Sequence, residues 1–165
     1  MVRSSVSILS VFFIATLVGC GGGSGASNVE IEGVWNVTLA LGANSCPNDA
    51  KVLPTLEDVH TVVENVDQSG SGIVTLIDAQ GQESITTDSP PREDSFIVTG
   101  VPQPLNPFVT GAECVETIVW SYFDISSDTT GVFTDNIGRN SIISCASPSG
   151  QVDCSVFYTG RGRKE

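Results

Sequence analysis

From residue 31 onward, apolar and polar side chains alternate in short stretches, broken by glycine, proline, serine, aspartate and asparagine. Trp35, Val37, Leu39 and Leu41 alternate with Asn36, Thr38 and Ala40. That period of two belongs to a half-buried strand and predicts a first strand over 31–41. After a loop with Cys46, Pro47 and Pro54, further strands are expected over 59–66, 73–78 and, more weakly, 83–87. The turns between them fall at Asp67-Gln68-Ser69-Gly70-Ser71-Gly72 and Ala79-Gln80-Gly81-Gln82, both rich in turn-forming residues. Ser89-Pro90-Pro91-Arg92 breaks the pattern, and 95–101 reads as the next strand. Pro102, Pro104 and Pro107 predict an open loop, since proline cannot donate to a ladder. The most apolar stretch, 114–125, carries Ile118, Val119, Trp120, Tyr122 and Phe123 and is apolar on both faces, which predicts cover on both sides. A turn at Ser126-Ser127-Asp128-Thr129 leads into 131–134, and a final hairpin is expected from 141–146 and 152–159.

No helical period appears in this stretch, so the chain is expected to be all-β. About eight short strands with brief connections predict an antiparallel up-and-down meander, because sequential strands tend to pair. Such a meander hides its edges best by closing into a barrel. A β-sandwich is the alternative architecture.

The residues ahead of this domain follow another logic. A short start with Arg3 precedes an apolar run from Val6 to Val18 and then Gly19-Cys20. A basic start, a brief apolar core and a small residue at a cut site describe a secretory signal. The run is shorter than the roughly 20 residues of a spanning helix. Leu17-Val18-Gly19-Cys20 resembles the lipobox of bacterial lipoproteins. The resemblance implies cleavage before Cys20 and a diacylglycerol on its sulfur, so that the chain reaches the membrane as its first partner through that lipid. Residues 21–28, Gly-Gly-Gly-Ser-Gly-Ala-Ser-Asn, have the composition of a flexible coil. The expected organisation is a signal peptide at 1–19, a lipidated cysteine and tether at 20–29, and one β-barrel domain at 30–165. Gly21 stands where inner-membrane lipoproteins often carry aspartate, so the resemblance implies the periplasmic face of the outer membrane in a Gram-negative source.

Acidic residues outnumber basic ones, 19 to 7, for a net charge of −12. That balance argues against nucleic acid and against electrostatic binding to anionic lipid. With Cys20 assigned to lipid, Cys46, Cys114, Cys145 and Cys154 remain. An even set in an exported chain predicts two disulfides. Three pairings are open. A hairpin centred on Ser149-Gly150 would set Cys145 opposite Cys154, which favours that pair and leaves Cys46 with Cys114. Zinc is not expected, because the chain has no C-x-x-C pair and His60 is its single histidine.

Gly33-Val34-Trp35 is similar to the G-x-W motif that opens lipocalins and related barrels. Thr134-Asp135 is similar to a second lipocalin motif, although Asn136 stands where an aromatic is usual, and no helix follows the last strand. The resemblance implies that Trp35 packs across the closed end of a barrel under an arginine near the last strand, Arg161 or Arg163. It also implies a calyx for a small apolar ligand, with Trp120, Tyr122 and Phe123 as candidate lining residues; the alternative for these aromatics is plain core.

The chain has no G-x-S-x-G, S-x-x-K or H-E-x-x-H. His60 lies inside a predicted strand and would need partners to act as a base. The turn at Asp67–Gly72 has serines where a calcium loop needs carboxylates. The expectation is therefore no enzyme, no metal and no cofactor. Two functions stand side by side. One is a lipid-anchored barrel that binds a small apolar ligand. The other is an accessory envelope lipoprotein that has a filled barrel and acts on a protein partner through its surface.

Overall fold

The computed structural model describes residues 29–47, 52–66, 72–86, 94–105, 112–148 and 150–165. Ten strands and no helix are found among them, all in one sheet. They are β1 (Gly33–Asn44), β2 (Thr55–Val66), β3 (Gly72–Ile77), β4 (Glu83–Ile85), β5 (Phe96–Gly100), β6 (Gln103–Leu105), β7 (Glu113–Phe123), β8 (Ser126–Asp128), β9 (Gly131–Ser147) and β10 (Gly150–Lys164). Eight of these, β1 to β5, β7, β9 and β10, pair each with the next in chain order, and β10 returns to β1. All the pairings are antiparallel. The meander expected from the alternation is thus present and closed as a barrel. The short strands β6 and β8 lie outside this ring, against the start of β7 and the start of β9.

One end of the barrel holds the start of β1, the connection from β7 to β9 and the C-terminus. The other holds the β1–β2 loop, the β3–β4 turn, β6 and the β9–β10 hairpin. The first is called the closed end below, because Ile31 and Trp35 are buried there. Alternation sends Trp35, Val37 and Leu39 inward on β1, where all three are buried. Leu41 continues the pattern in sequence but is partly exposed, since a bulge between Leu41 and Ala43 shifts the register.

Three expectations about the strands are corrected. First, 131–134 and 141–146 belong to one 17-residue strand, β9. The intervening Asp135-Asn136 looks like a turn but forms an irregularity in the ladder opposite Arg161. Thr134 supports it by accepting a hydrogen bond from the Asn136 amide at 3.0 Å. Second, the last strand, expected over 152–159, runs on through Gly160-Arg161-Gly162-Arg163-Lys164 as the end of β10. Glycine is a poor strand former, but here close packing demands it. A Cβ on Gly160 would sit 2.0 Å from the Thr38 carbonyl oxygen, and one on Gly162 would come within 2.6 Å of the Ile137 Cδ1 methyl. Third, the outer face of β7 is uncovered, with Val115 and Phe123 exposed. The proline loop also contains β6, whose Pro104 sits on an edge strand, where its missing N–H is harmless.

The disulfides join Cys46 to Cys154 and Cys114 to Cys145. This corrects the favoured pairing. The β9–β10 hairpin pairs Ser147 with Gly150, so Cys145 faces Val152 and Cys154 faces Ile143. The register is two residues away from the one that would set Cys145 against Cys154. Cys145 instead meets Cys114, its direct partner across β7 and β9, with Cα atoms 4.0 Å apart. Cys154 reaches Cys46 just beyond β1. Both bridges lie at the end opposite Trp35.

Candidate functional site

The barrel interior is apolar at the closed end and around the two disulfides, with polar groups between. Trp35, Val62, Val74, Phe96, Tyr122 and Ile137 fill the closed end. Trp35 donates its indole N–H to the Ile31 carbonyl at 2.9 Å and meets Tyr122 edge-on at 5.6 Å. Phe96 stacks on Tyr122 at 4.6 Å. Every wide ring at this end therefore has another ring or an aliphatic side chain against it.

Two polar groupings lie next along the barrel. In the first, His60 on β2 is 0% exposed. Its Nδ1 is in hydrogen-bond contact with the Tyr122 hydroxyl. Its Nε2 lies 3.3 Å from Asp58 Oδ2, within ion-pair range but off the line of a hydrogen bond, so that nitrogen has no hydrogen-bond partner. Period two places Asp58 and His60 on the same inward face. Burial, and then the Asp58 charge, push the Tyr122 phenol well above its ordinary pKa. Burial would raise the Asp58 carboxyl too, but contact with His60 and hydrogen bonds from the Val59 and Ala79 amides outweigh it and hold the carboxyl below its usual value.

In the second grouping, Glu116 on β7 faces Arg139 and Ser141 on β9. Arg139 Nη2 is 3.4 Å from Glu116 Oε1, and the Ser141 hydroxyl donates to the same oxygen. The guanidinium also lies over two rings, 5.6 Å from the centre of Trp120 and 5.8 Å from that of Tyr158. An arginine can share its charge with a carboxylate and two ring faces because it is planar and weakly hydrated. Trp120 links the groupings, with its ring edge-on to His60 at 4.2 Å.

A small pocket reaches this region through the barrel wall. β5 pairs with β7 up to Thr99 and Val119, and β6 resumes the pairing at Gln103 and Glu116. The gap is lined by Ser84, Gly100, Gln103, Glu116, Ile118 and Trp120, among others, and offers about 20 Å³. That is room for about one water molecule.

Comparisons with protein-family models, with curated proteins and with solved structures gave no match. Whatever this barrel does must be read from its own residues.

The sequence-predicted site residues divide as follows. Trp120 and Tyr122 point into the barrel and are buried, whereas Phe123 is 37% exposed. Phe123 is one residue out of phase with the other two, so the three cannot line one cavity. Trp35 is fully buried at the closed end. Arg161 does not cover it: Arg161 pairs with Thr38 and points outward, and Arg163 pairs with Asn36 and does the same. The partner of Trp35 is Lys164, whose side chain runs over Gly33 to donate to the Glu30 carbonyl at 2.9 Å. Cys20 lies outside the described residues. His60 gathers one carboxylate, Asp58, and is sealed from solvent.

The Glu116–Arg139 pair was missed in the sequence, although a signal for it existed. Glu116 shares the phase of Trp120 and Tyr122, and Arg139 shares that of Ile137 and Ile143. Opposite charges at inward positions of two strands would have marked an interior ion pair.

Proposed function

We propose that this chain is an exported lipoprotein, anchored by lipid on Cys20, whose filled barrel acts through its outer surface on proteins of the cell envelope. The carrying observation is the interior itself. Trp35, Tyr122, Phe96, His60, Trp120 and Arg139 fill it with contacts to one another, where a carrier of apolar molecules needs an open, apolar calyx. The polar middle of the interior adds to this, since an apolar guest there would strip the Glu116–Arg139 pair of its neighbours.

Two disulfides in the domain support an oxidising compartment. The lipobox-like Leu17-Val18-Gly19-Cys20 supports the anchor, and Gly21 favours the periplasmic face of the outer membrane. The tether would meet the domain at Val29, beside Glu30, Glu32 and the closed end. A tether that enters at the closed end would turn the disulfide end away from the membrane.

The test has two parts. The full chain expressed in a Gram-negative host should partition with membranes and carry the mass of a lipid on Cys20, and Cys20→Ser should release it into the periplasm. The released protein, purified gently, should show its bare mass by native mass spectrometry. An adduct that organic solvent extracts would overturn the filled-barrel reading, and an unlipidated chain would overturn the anchor.

A further inference from the structure

The small pocket in the barrel wall is lined by Asp78 and Glu83 on one side and Glu116 on the other, with no cationic side chain among its lining residues. Two of these carboxylates are fixed in place. Asp78 accepts the Gln80 and Gln82 amides on Oδ1 at 2.9 and 2.8 Å. Glu116 accepts Ser141 and Arg139 on Oε1. Their other oxygens, Oδ2 and Oε2, have no hydrogen-bond partner among the described residues. Arg139 offsets Glu116, whereas Asp78 and Glu83 have no ionic partner among the described residues.

A second feature is independent of the acids. Ser84 also lines the pocket and is only 4% exposed, yet its hydroxyl has no hydrogen-bond partner among the described residues. Ser84 is the register partner of Gly100, and a Cβ on Gly100 would lie 3.1 Å from Ser84 Oγ. The hydroxyl therefore points into the space that the glycine leaves open. A buried hydroxyl of this kind calls for a partner.

Size and charge together select the occupant. About 20 Å³ admits one group the size of a water molecule. An ammonium is that size, and its three N–H donors suit carboxylate and hydroxyl oxygens. A guanidinium is a wider planar fork, an anion would face carboxylates, and a methyl group would leave Ser84 unpartnered. At the mouth, Val101, 67% exposed, and Ile118 give an apolar wall along which a methylene stem can lie. The net charge of −12 draws a basic segment in from a distance. We propose that this pocket is the socket for a lysine side chain of a partner protein, with the ammonium held by Asp78, Ser84 and Glu116. The inference rests on the surface-acting reading above and supplies the chemistry by which the partner is gripped.

In the Cys20→Ser chain, exported to an oxidising compartment, N-acetyl-lysine methylamide would be titrated while backbone amide and Trp120 indole signals are followed by NMR. Two further probes divide the ligand. N-acetyl-norleucine methylamide has a stem without the charge, and ammonium chloride has the charge without the stem. The lysine amide should give saturating shifts confined to 78–84, 100–103 and 116–120, with a dissociation constant about tenfold or more below that of either control. Gly100 does not have a positive φ, so Gly100→Ala places a methyl group in the pocket without backbone strain and should abolish the shifts. Asp78→Asn keeps an oxygen for the two turn amides, removes the charge, and should weaken binding about threefold or more; it serves alone if Gly100→Ala fails to fold. An equal response to norleucine amide or ammonium chloride, or binding that survives the variants, would overturn the lysine socket. So would the absence of any saturable shift, which would leave water as the occupant. Each of these results leaves the filled barrel and the anchor standing, whereas an extractable adduct would overturn the filled barrel without altering the titration.

Discussion

The Tyr122 hydroxyl and His60 Nδ1 are hydrogen-bonded to each other inside the barrel, with neither side chain reaching solvent. Burial holds the phenol protonated, so the hydroxyl has a proton that it can donate to Nδ1. The other ring nitrogen, Nε2, faces the Asp58 carboxylate at 3.3 Å. Asp58, His60 and Tyr122 thus form a row of polar groups that ends in a sealed phenol, joined by the hydrogen bond at Nδ1 and by the charge contact at Nε2.

Tyr122→Phe keeps the ring and strands Nδ1. The expected loss is about 1–3 kcal/mol, the cost of an unsatisfied buried polar atom, measured by urea denaturation. The raised phenol has a second consequence. A group whose folded pKa lies above its unfolded value adds stability below the unfolded value and loses it as pH rises through the folded one. In a Tyr158→Phe background, the absorbance of tyrosinate should therefore appear only as the protein unfolds at alkaline pH. A free titration near pH 10 in the folded protein would contradict the buried contact.

Asp58 predicts the opposite limb. Its folded pKa is depressed, so its contribution is present above the ordinary carboxylate pKa and is lost as pH falls through the lowered value. Asp58→Asn should flatten the acid side of the stability profile below about pH 4. If wild-type and variant lose stability in parallel there, the His60 contact does not hold the carboxylate down.

The two disulfides close loops of different size, with sequence separations of 108 for Cys46–Cys154 and 31 for Cys114–Cys145. Chain-entropy arguments give about 5 and about 4 kcal/mol respectively, each taken alone. Replacing Cys46 and Cys154 together by serine should therefore cost about 1 kcal/mol more than replacing Cys114 and Cys145. Mass spectrometry of a non-reduced digest should recover 46 with 154 and 114 with 145. Recovery of 145 with 154 would mean that the β9–β10 register is wrong.

The fold was legible because alternation is local. The sequence Trp35-Asn36-Val37-Thr38-Leu39 shows its buried face without reference to the rest of the chain. The disulfide pairing was not, because it depends on hairpin register, and a shift of two residues leaves every side chain on its own face. Period two cannot detect such a shift. The extent of β9 and β10 was hidden for a different reason. Asp135-Asn136 and Gly160-Arg161-Gly162 have turn composition, and for the two glycines the closeness of Thr38 and Ile137 in space explains why small residues stand in the strand. The candidate site is legible only in part, because Phe123 is out of phase with Trp120 and Tyr122, and because charged side chains mostly mark a solvated face while Glu116 and Arg139 turn inward.

Glu116 and Arg139 supply the last prediction. Both side chains are mostly buried, and each is the other's ionic partner. Removing one alone leaves a charge in the barrel with rings on two sides and little water. Complete burial would cost about 3–5 kcal/mol on breaking such a pair. The pocket beside Glu116 admits solvent, so a loss of roughly 1–3 kcal/mol is expected for Glu116→Ala or Arg139→Ala. The double variant Glu116→Leu with Arg139→Met replaces both charges by apolar side chains and should recover most of that loss. A double-mutant cycle in urea measures the coupling. Near-zero coupling would mean that Arg139 is held by Trp120 and Tyr158 rather than by the carboxylate, and Trp120→Leu would then become the damaging change.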